Sequence, residues 1–183
     1  MKPKERETDT ARFKVFHDLM RSKIERVLLI STAYEAWIME EDCRLSEHIV
    51  HEYRGLNLSR PPRLTWVSTT AAALAALEAT AFDLVIIISS AADAAACQKA
   101  AAVKAQAPQM PVVLLTHRES LADMEASTRD RFAAIDRTIF WTGDAGLLLA
   151  IIKSVEDRLN VAHDTQVAGI RIILYVEDSP FYL

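Results

Sequence analysis

Apolar runs of strand length alternate with helical stretches, and this predicts an α/β domain with a doubly wound parallel sheet. Two further observations carry the prediction. Asp83-Leu-Val-Ile-Ile-Ile88 is apolar after its first residue, as in a strand buried on both faces. The chain has 183 residues, 51% hydrophobic and 25% charged, which suits one domain with a substantial core and a short remainder.

Residues 1–8 are polar. From Asp9 to Ile24, the residues Phe13, Phe16, Met20 and Ile24 recur at steps of three and four, which predicts a short amphipathic helix. Arg26–Ser31 is a compact apolar strand, and Ile38, Leu45, Ile49, Tyr53 and Leu56 line one helical face over 35–56. Leu64–Val67 follows the breaker Pro61-Pro62 and reads as a strand. Ala71–Ala79 is helical by propensity, and Asp83–Ile88 is a central strand. Asp93–Ala107 is a second alanine-rich helix closed by Pro108, and Pro111–Thr116 is a buried strand. Glu119–Phe132 reads as a helix and Thr138–Trp141 as a short strand. Asp144 is placed to cap a long last helix carrying Leu148, Ile151, Ile152, Val155 and Leu159.

Short connections between these elements require parallel strands joined by right-handed crossovers, with helices on both faces. Five strands in this length fit the flavodoxin-like order 2-1-3-4-5. A dinucleotide-binding fold is disfavoured, because Ser31-Thr-Ala-Tyr34 stands where a glycine-rich phosphate loop is needed. The chain has only four glycines.

Bulk properties remove several functions. The net charge is −4 with basic residues scattered among acids, so no nucleic-acid face is expected. Cys43 and Cys97 lack metal-ligand spacing and read as reduced thiols. No run approaches a membrane span, and the charged N-terminus has no signal-peptide core, so a cytoplasmic location is expected.

The C-terminus carries a self-similarity. Arg171-Ile-Ile-Leu-Tyr-Val-Glu-Asp-Ser-Pro-Phe-Tyr-Leu183 repeats the pattern of Arg26–Ile38: an arginine, an apolar strand, then a turn into an aromatic. The expected division is an N-terminal arm (1–25), a first domain (26–162), and a linker with the first strand of a truncated second domain (163–183). A longer protein is therefore expected, its C-terminal domains being partners of the first. Where the second copy has Glu177 and Asp178, the first has Thr32 and Ala33. Adjacent carboxylates at the end of a first strand suit a hard cation such as Mg²⁺, so a metal site is expected only if the second domain is complete.

Residues 26–160 resemble the receiver domains of two-component response regulators, and Val-Glu-Asp-Ser in the second copy resembles the opening of another. In the receiver pattern, the phosphoacceptor aspartate stands five residues after the opening Asp83, which is Ile88 here. The fourth strand ends in the Ser or Thr that contacts the phosphoryl group, and Thr116 is present. Trp141 stands where the resemblance implies a lysine, and Thr32 and Ala33 where it implies the metal-binding acids. Aspartyl phosphate formation needs a carboxylate, a divalent cation and a cation on the phosphate. A pseudo-receiver outside phosphorelay chemistry is the expectation, with no catalytic residue, metal or cofactor in the first domain. Ile38–Asp42, Glu52–Asn57 and Trp141–Asp144 further resemble a bacterial group with a receiver-like region ahead of a phosphoenolpyruvate-synthase-like (pyruvate phosphate dikinase-like) portion.

Other candidates have plainer readings. Glu40, Glu41 and Asp42 sit too close in sequence to share a helical face, and read as a solvated surface. His48 and His51 are spaced for a shared metal but lack a third ligand, and Asp83 and Asp93 lack a carboxylate partner. Trp141 either marks a partner surface or fills space left by the missing lysine and phosphate. The last helix is apolar on more than one stripe, from Leu147 to Val161, so a homodimer through the 119–160 surface is expected. The functional expectation is a non-enzymatic signal-transduction module acting by dimerisation or domain docking. The alternative is a small-ligand sensor using the cleft beside Thr32, Ser89 and Thr116.

Overall fold

The computed structural model describes residues 19–41, 44–55, 60–89, 94–116, 133–141 and 146–169. Its elements are β1 (Arg26–Ile30), α1 (Ala33–Glu41), α2 (Leu45–Gly55), β2 (Arg63–Val67), α3 (Thr70–Ala79), β3 (Leu84–Ser89), α4 (Ala94–Gln106), β4 (Val112–Thr116), β5 (Arg137–Phe140) and α5 (Gly146–Ala168). The five strands form one sheet in the order β2-β1-β3-β4-β5, every neighbouring pair parallel. The predicted fold class and strand order are those observed.

Burial follows position in the sheet. β1, β3 and β4 are central and almost wholly buried, whereas the edge strands β2 and β5 are only partly so. Side chains alternate between faces, and in a parallel pair the residues in register share a face. Leu28, Ile30, Val85, Ile87, Val112 and Leu114 therefore build one core layer, closed by Ala73 of α3 and by Ala96, Ala100 and Val103 of α4. The α4 residues recur at steps of four and three, and their small side chains let the helix lie close to the sheet. Burying a leucine or isoleucine of this layer stabilises the fold by roughly 1.5–3 kcal/mol each. The alternate residues Val27, Leu29, Leu84, Ile86, Val113 and Leu115 are equally buried on the opposite face. The reversal of direction after β2 puts the β1–β2 crossover on that second face when both crossovers are right-handed.

Two acids secure the amino ends of the strands. Asp83 opens the run into β3, and its Oδ2 accepts the backbone N–H groups of Glu25 and Arg26, both at 2.9 Å. Asp136, ahead of β5, accepts the Val112 N–H at 2.7 Å and pairs with Lys104 Nζ at 2.8 Å. Asp83 is thus structural, as its lack of a carboxylate partner in sequence predicts; Asp93 lies outside the described residues. α3 starts with Thr69, whose hydroxyl accepts the Ala72 N–H at 3.1 Å.

Three details depart from expectation. The single helix expected over 35–56 is two helices, because Arg44 has φ 43°, and a left-handed residue cannot continue a right-handed helix. Ile49 and Tyr53 keep their predicted burial on α2; the Leu45 side chain and Leu56 lie outside the described residues. The helix expected over 9–24 is not continued through 19–24, which is irregular with Met20 at φ 54°. Finally, α5 continues through 163–168, the beginning of the stretch expected to be linker, and ends at Gly169 with φ 60°. The helix expected over 119–132, the Asp144 cap, Cys43 and the strand 171–176 lie outside the described residues.

The chain divides into two compact units, Ile24–Ile152 and a second comprising Met1–Lys23 with Lys153–Leu183. Within the second, Asn160 is 1% exposed and holds Ser22 through both of its backbone groups. Its Oδ1 accepts the Ser22 N–H and its Nδ2 donates to the Ser22 carbonyl, both at 2.7 Å. The Asp164 carboxylate accepts the Met20 N–H at 3.2 Å. Lys153 reaches the buried Glu156 at 2.6 Å.

Candidate functional site

In a doubly wound sheet, ligands bind beyond the carboxyl ends of the strands. The five positions matched to the receiver pattern fall at that edge. Thr32 and Ala33 follow β1, Ile88 is the penultimate residue of β3, Thr116 ends β4, and Trp141 follows β5.

On the β1 side, the chain is committed to starting a helix. The Ser31 N–H reaches the Val67 carbonyl at 3.1 Å, extending the ladder one residue beyond the strand, and its hydroxyl donates to the Thr32 carbonyl. Thr32 and Glu35 form a reciprocal capping box. The Thr32 N–H donates to Glu35 Oε2 at 2.8 Å, and the Glu35 N–H donates back to Thr32 Oγ1 at 3.2 Å. The Thr32 hydroxyl also donates to Glu35 Oε2 at 3.0 Å. Thr32-x-x-Glu35 is a sequence signature of this device, and the reading of Thr32 as a vacated metal position overlooks it. Ala33, the first helical residue, is exposed and brings no ligand atom.

In the middle of the edge, Ile88 is 6% exposed and lies in register with Leu115, which is 2% exposed. The two point to the same face of the sheet. On the other face, Ser89 is in register with Thr116, and Thr116 with Phe140. Thr116 is 1% exposed. Its carbonyl accepts the Trp141 N–H at 2.8 Å, which fixes the tryptophan backbone at the rim, with its side chain half-buried. Among the described residues, the edge thus offers apolar side chains, small hydroxyls and one carboxylate, Glu35, which is engaged in the helix cap.

Glu40 and His51 are exposed on α1 and α2; Asp42 and the side chains of Glu41 and His48 are outside the described residues. Among the described residues, no three His, Cys, Asp or Glu side chains gather as a set able to hold a metal. Glu177 and Asp178 lie outside the described residues. Cys97 is a buried thiol on α4. Among the described residues, no helix is long and apolar enough to cross a membrane.

No family model and no curated protein matches the sequence. Solved structures do match. The receiver domain of a CheY-like response regulator from Methanospirillum hungatei superposes with a TM-score of 0.55 at 15% identity, over 76% of this chain and 99% of that one. The signal receiver domain of an HD-domain protein from Pseudomonas fluorescens gives 0.50 at 18% identity, over 79% and 99%. A structure described as an adenylate cyclase from Rhodopirellula baltica gives 0.53 at 14% identity, over 78% and 97%. At such identities the likeness establishes architecture. The chain has the fold of response-regulator receiver domains.

Proposed function

We propose that this chain is a regulatory interaction module of signal transduction, a pseudo-receiver that works by dimerisation or domain docking without being phosphorylated. One observation carries the reading. Ile88, the position matched to the phosphoacceptor, is buried beside Leu115 at the edge where the reaction would occur. The supporting positions agree with it. Thr32 is engaged in capping α1, Ala33 has no ligand atom, and Trp141 supplies no cation to hold a phosphate. Of the receiver set, Thr116 alone keeps its residue type.

The protein therefore transmits through its surfaces. The last helix supports this reading: its first half buries Leu148, Ile151 and Ile152, whereas Leu159, Val161 and Val167 are exposed. The resemblance of Ile38–Asp42, Glu52–Asn57 and Trp141–Asp144 to phosphoenolpyruvate-synthase-like proteins favours a regulatory region within a longer chain. The ligand-sensor alternative is weakened because the Thr32 hydroxyl is already bonded to Glu35 and Thr116 is buried.

The test is incubation with acetyl phosphate, or with beryllofluoride, in the presence of Mg²⁺, read by intact mass and by ¹⁹F NMR. No adduct is expected. A stoichiometric adduct within residues 26–160 overturns the proposal. Light scattering at tens of micromolar should give a dimer mass; a monomer would restrict the module to docking other domains.

A further inference from the structure

At the opposite, amino edge of the sheet, Glu25, Arg26, Arg60, Pro61 and Arg63 line a cavity of about 160 Å³. We propose that this cavity is an oxyanion site that takes a phosphate group as a small dianion.

Sequence and register build it. Arg26 opens β1 and Arg63 opens β2, and the parallel register sets them side by side on one face. The Arg63 N–H donates to the Glu25 carbonyl at 2.8 Å, locking the two strand openings together. Pro61 and Pro62 restrict the backbone between Arg60 and Arg63, so the third guanidinium is carried on a stiff segment. Like charges directly opposed on neighbouring strands are destabilising, so the arrangement calls for a counter-charge.

The protein supplies little of one. Three arginines and a single carboxylate, Glu25, line the cavity. Among the described residues, neither Arg60 nor Arg63 forms an ion pair. Arg26 makes one long bond, from Nη1 to the Ala81 carbonyl at 3.4 Å. Asp83, whose Oδ2 accepts the N–H groups of Glu25 and Arg26, brings a second carboxylate near the strand opening but does not line the cavity, so three arginines still outnumber two acids. On a chain of net charge −4, this is a local positive site.

Size and chemistry narrow the ligand. The cavity has the volume of roughly five waters at ~30 Å³ each, below the ~300 Å³ at which drug-sized pockets begin. It accommodates a small oxyanion with part of its hydration shell. Guanidinium groups bind such oxygens in paired, fork-like fashion, and three arginines lining one small cavity suit a tetrahedral anion better than a planar carboxylate.

The probe is inorganic phosphate added to the full chain at constant ionic strength, read by ¹H–¹⁵N shifts of the Glu25, Arg26 and Arg63 amides and the arginine Nε–H groups. Acetate and chloride are the parallel arms. Phosphate should give saturable shifts with a low-millimolar midpoint, acetate a weaker response and chloride none that saturates. Arg63→Gln and Arg60→Gln should each weaken the midpoint about tenfold, and Glu25→Gln should tighten it. Arg60 lies outside the strands, so its variant keeps the test valid if Arg63→Gln disturbs β2. Non-saturating shifts with phosphate, or wild-type midpoints in both arginine variants, overturn the proposal. The result is independent of the phosphorylation test, which reads the opposite edge.

Discussion

Replacing Ile88 with aspartate supplies, on paper, the residue that the receiver pattern has at this position, and it measures how apolar that place is. Ile88 is 6% exposed and in register with Leu115, itself 2% exposed. Removing the isoleucine side chain forfeits burial and leaves a partly filled space, about 2–4 kcal/mol by comparison with other large-to-small core changes. The carboxyl group then needs hydrogen-bond partners in a place that offers few, which adds about 1–3 kcal/mol. The total, roughly 3–7 kcal/mol, is a large part of the ~5–15 kcal/mol by which a domain is stable. Burial favours the neutral acid, so the folded-state pKa of the new aspartate lies above its unfolded value. The deficit should accordingly be smaller near about pH 5 than near about pH 8. Urea unfolding followed by circular dichroism gives the difference, with Ile88→Val as a control at about 0.5–1.5 kcal/mol. The variant should still take up no phosphoryl group from acetyl phosphate. A loss below about 1 kcal/mol, independent of pH, would mean the position is open to water and would refute the reasoning.

Two further substitutions test the amino edge and the second unit. Asp136→Ala removes an acceptor from the Val112 N–H and a partner from Lys104, and should cost about 2–3 kcal/mol in urea unfolding. A double-mutant cycle with Lys104→Met should leave less than about 1 kcal/mol to the ion pair, because both side chains are about one-fifth exposed. Asn160→Ala frees both backbone groups of Ser22. Since Ser22 is exposed, water replaces part of the loss, and about 1–2 kcal/mol is expected, with faster hydrogen exchange at the Ser22 amide.

The sheet was legible because burial on both faces leaves a strong mark: Val27–Ile30, Leu84–Ile88 and Val112–Leu115 are uninterrupted apolar runs. Alternation with helices then restricts the strand order. The break at Arg44 was not legible, since Ile38, Ile49 and Tyr53 keep one helical phase across it, and nothing about arginine announces a positive φ. At the carboxyl edge, the residue types were readable but their local duties were not. Thr32 was seen as an absent acid, while Thr32-x-x-Glu35 already spelled a helix cap. The arginine cluster was missed because Arg26 and Arg63 are 37 positions apart and meet only through the β1–β2 register, which needs the strand boundaries to within one residue. Asn160 carried no signal at all, since its partner is a backbone group.

The absences at the carboxyl edge belong together for electrostatic reasons. In a phosphorylatable receiver pattern, the acids, the metal and the lysine balance one another. Without the acids, a lysine at the rim would be a partly buried cation with no counter-charge, and an aspartate alone would be a buried anion with none. Each is costly singly, and together they offset part of the cost. On the proposed pseudo-receiver reading, the pair Ile88 and Trp141 avoids both penalties, which gives a reason for one apolar replacement to accompany the other. A double-mutant cycle decides the matter. Ile88→Asp and Trp141→Lys should each destabilise the domain, while the combined variant should be less destabilised than their sum by about 1–2 kcal/mol. Additivity within about 0.5 kcal/mol would mean that the two positions do not share a site, and the match of Trp141 to the receiver lysine would fall with it.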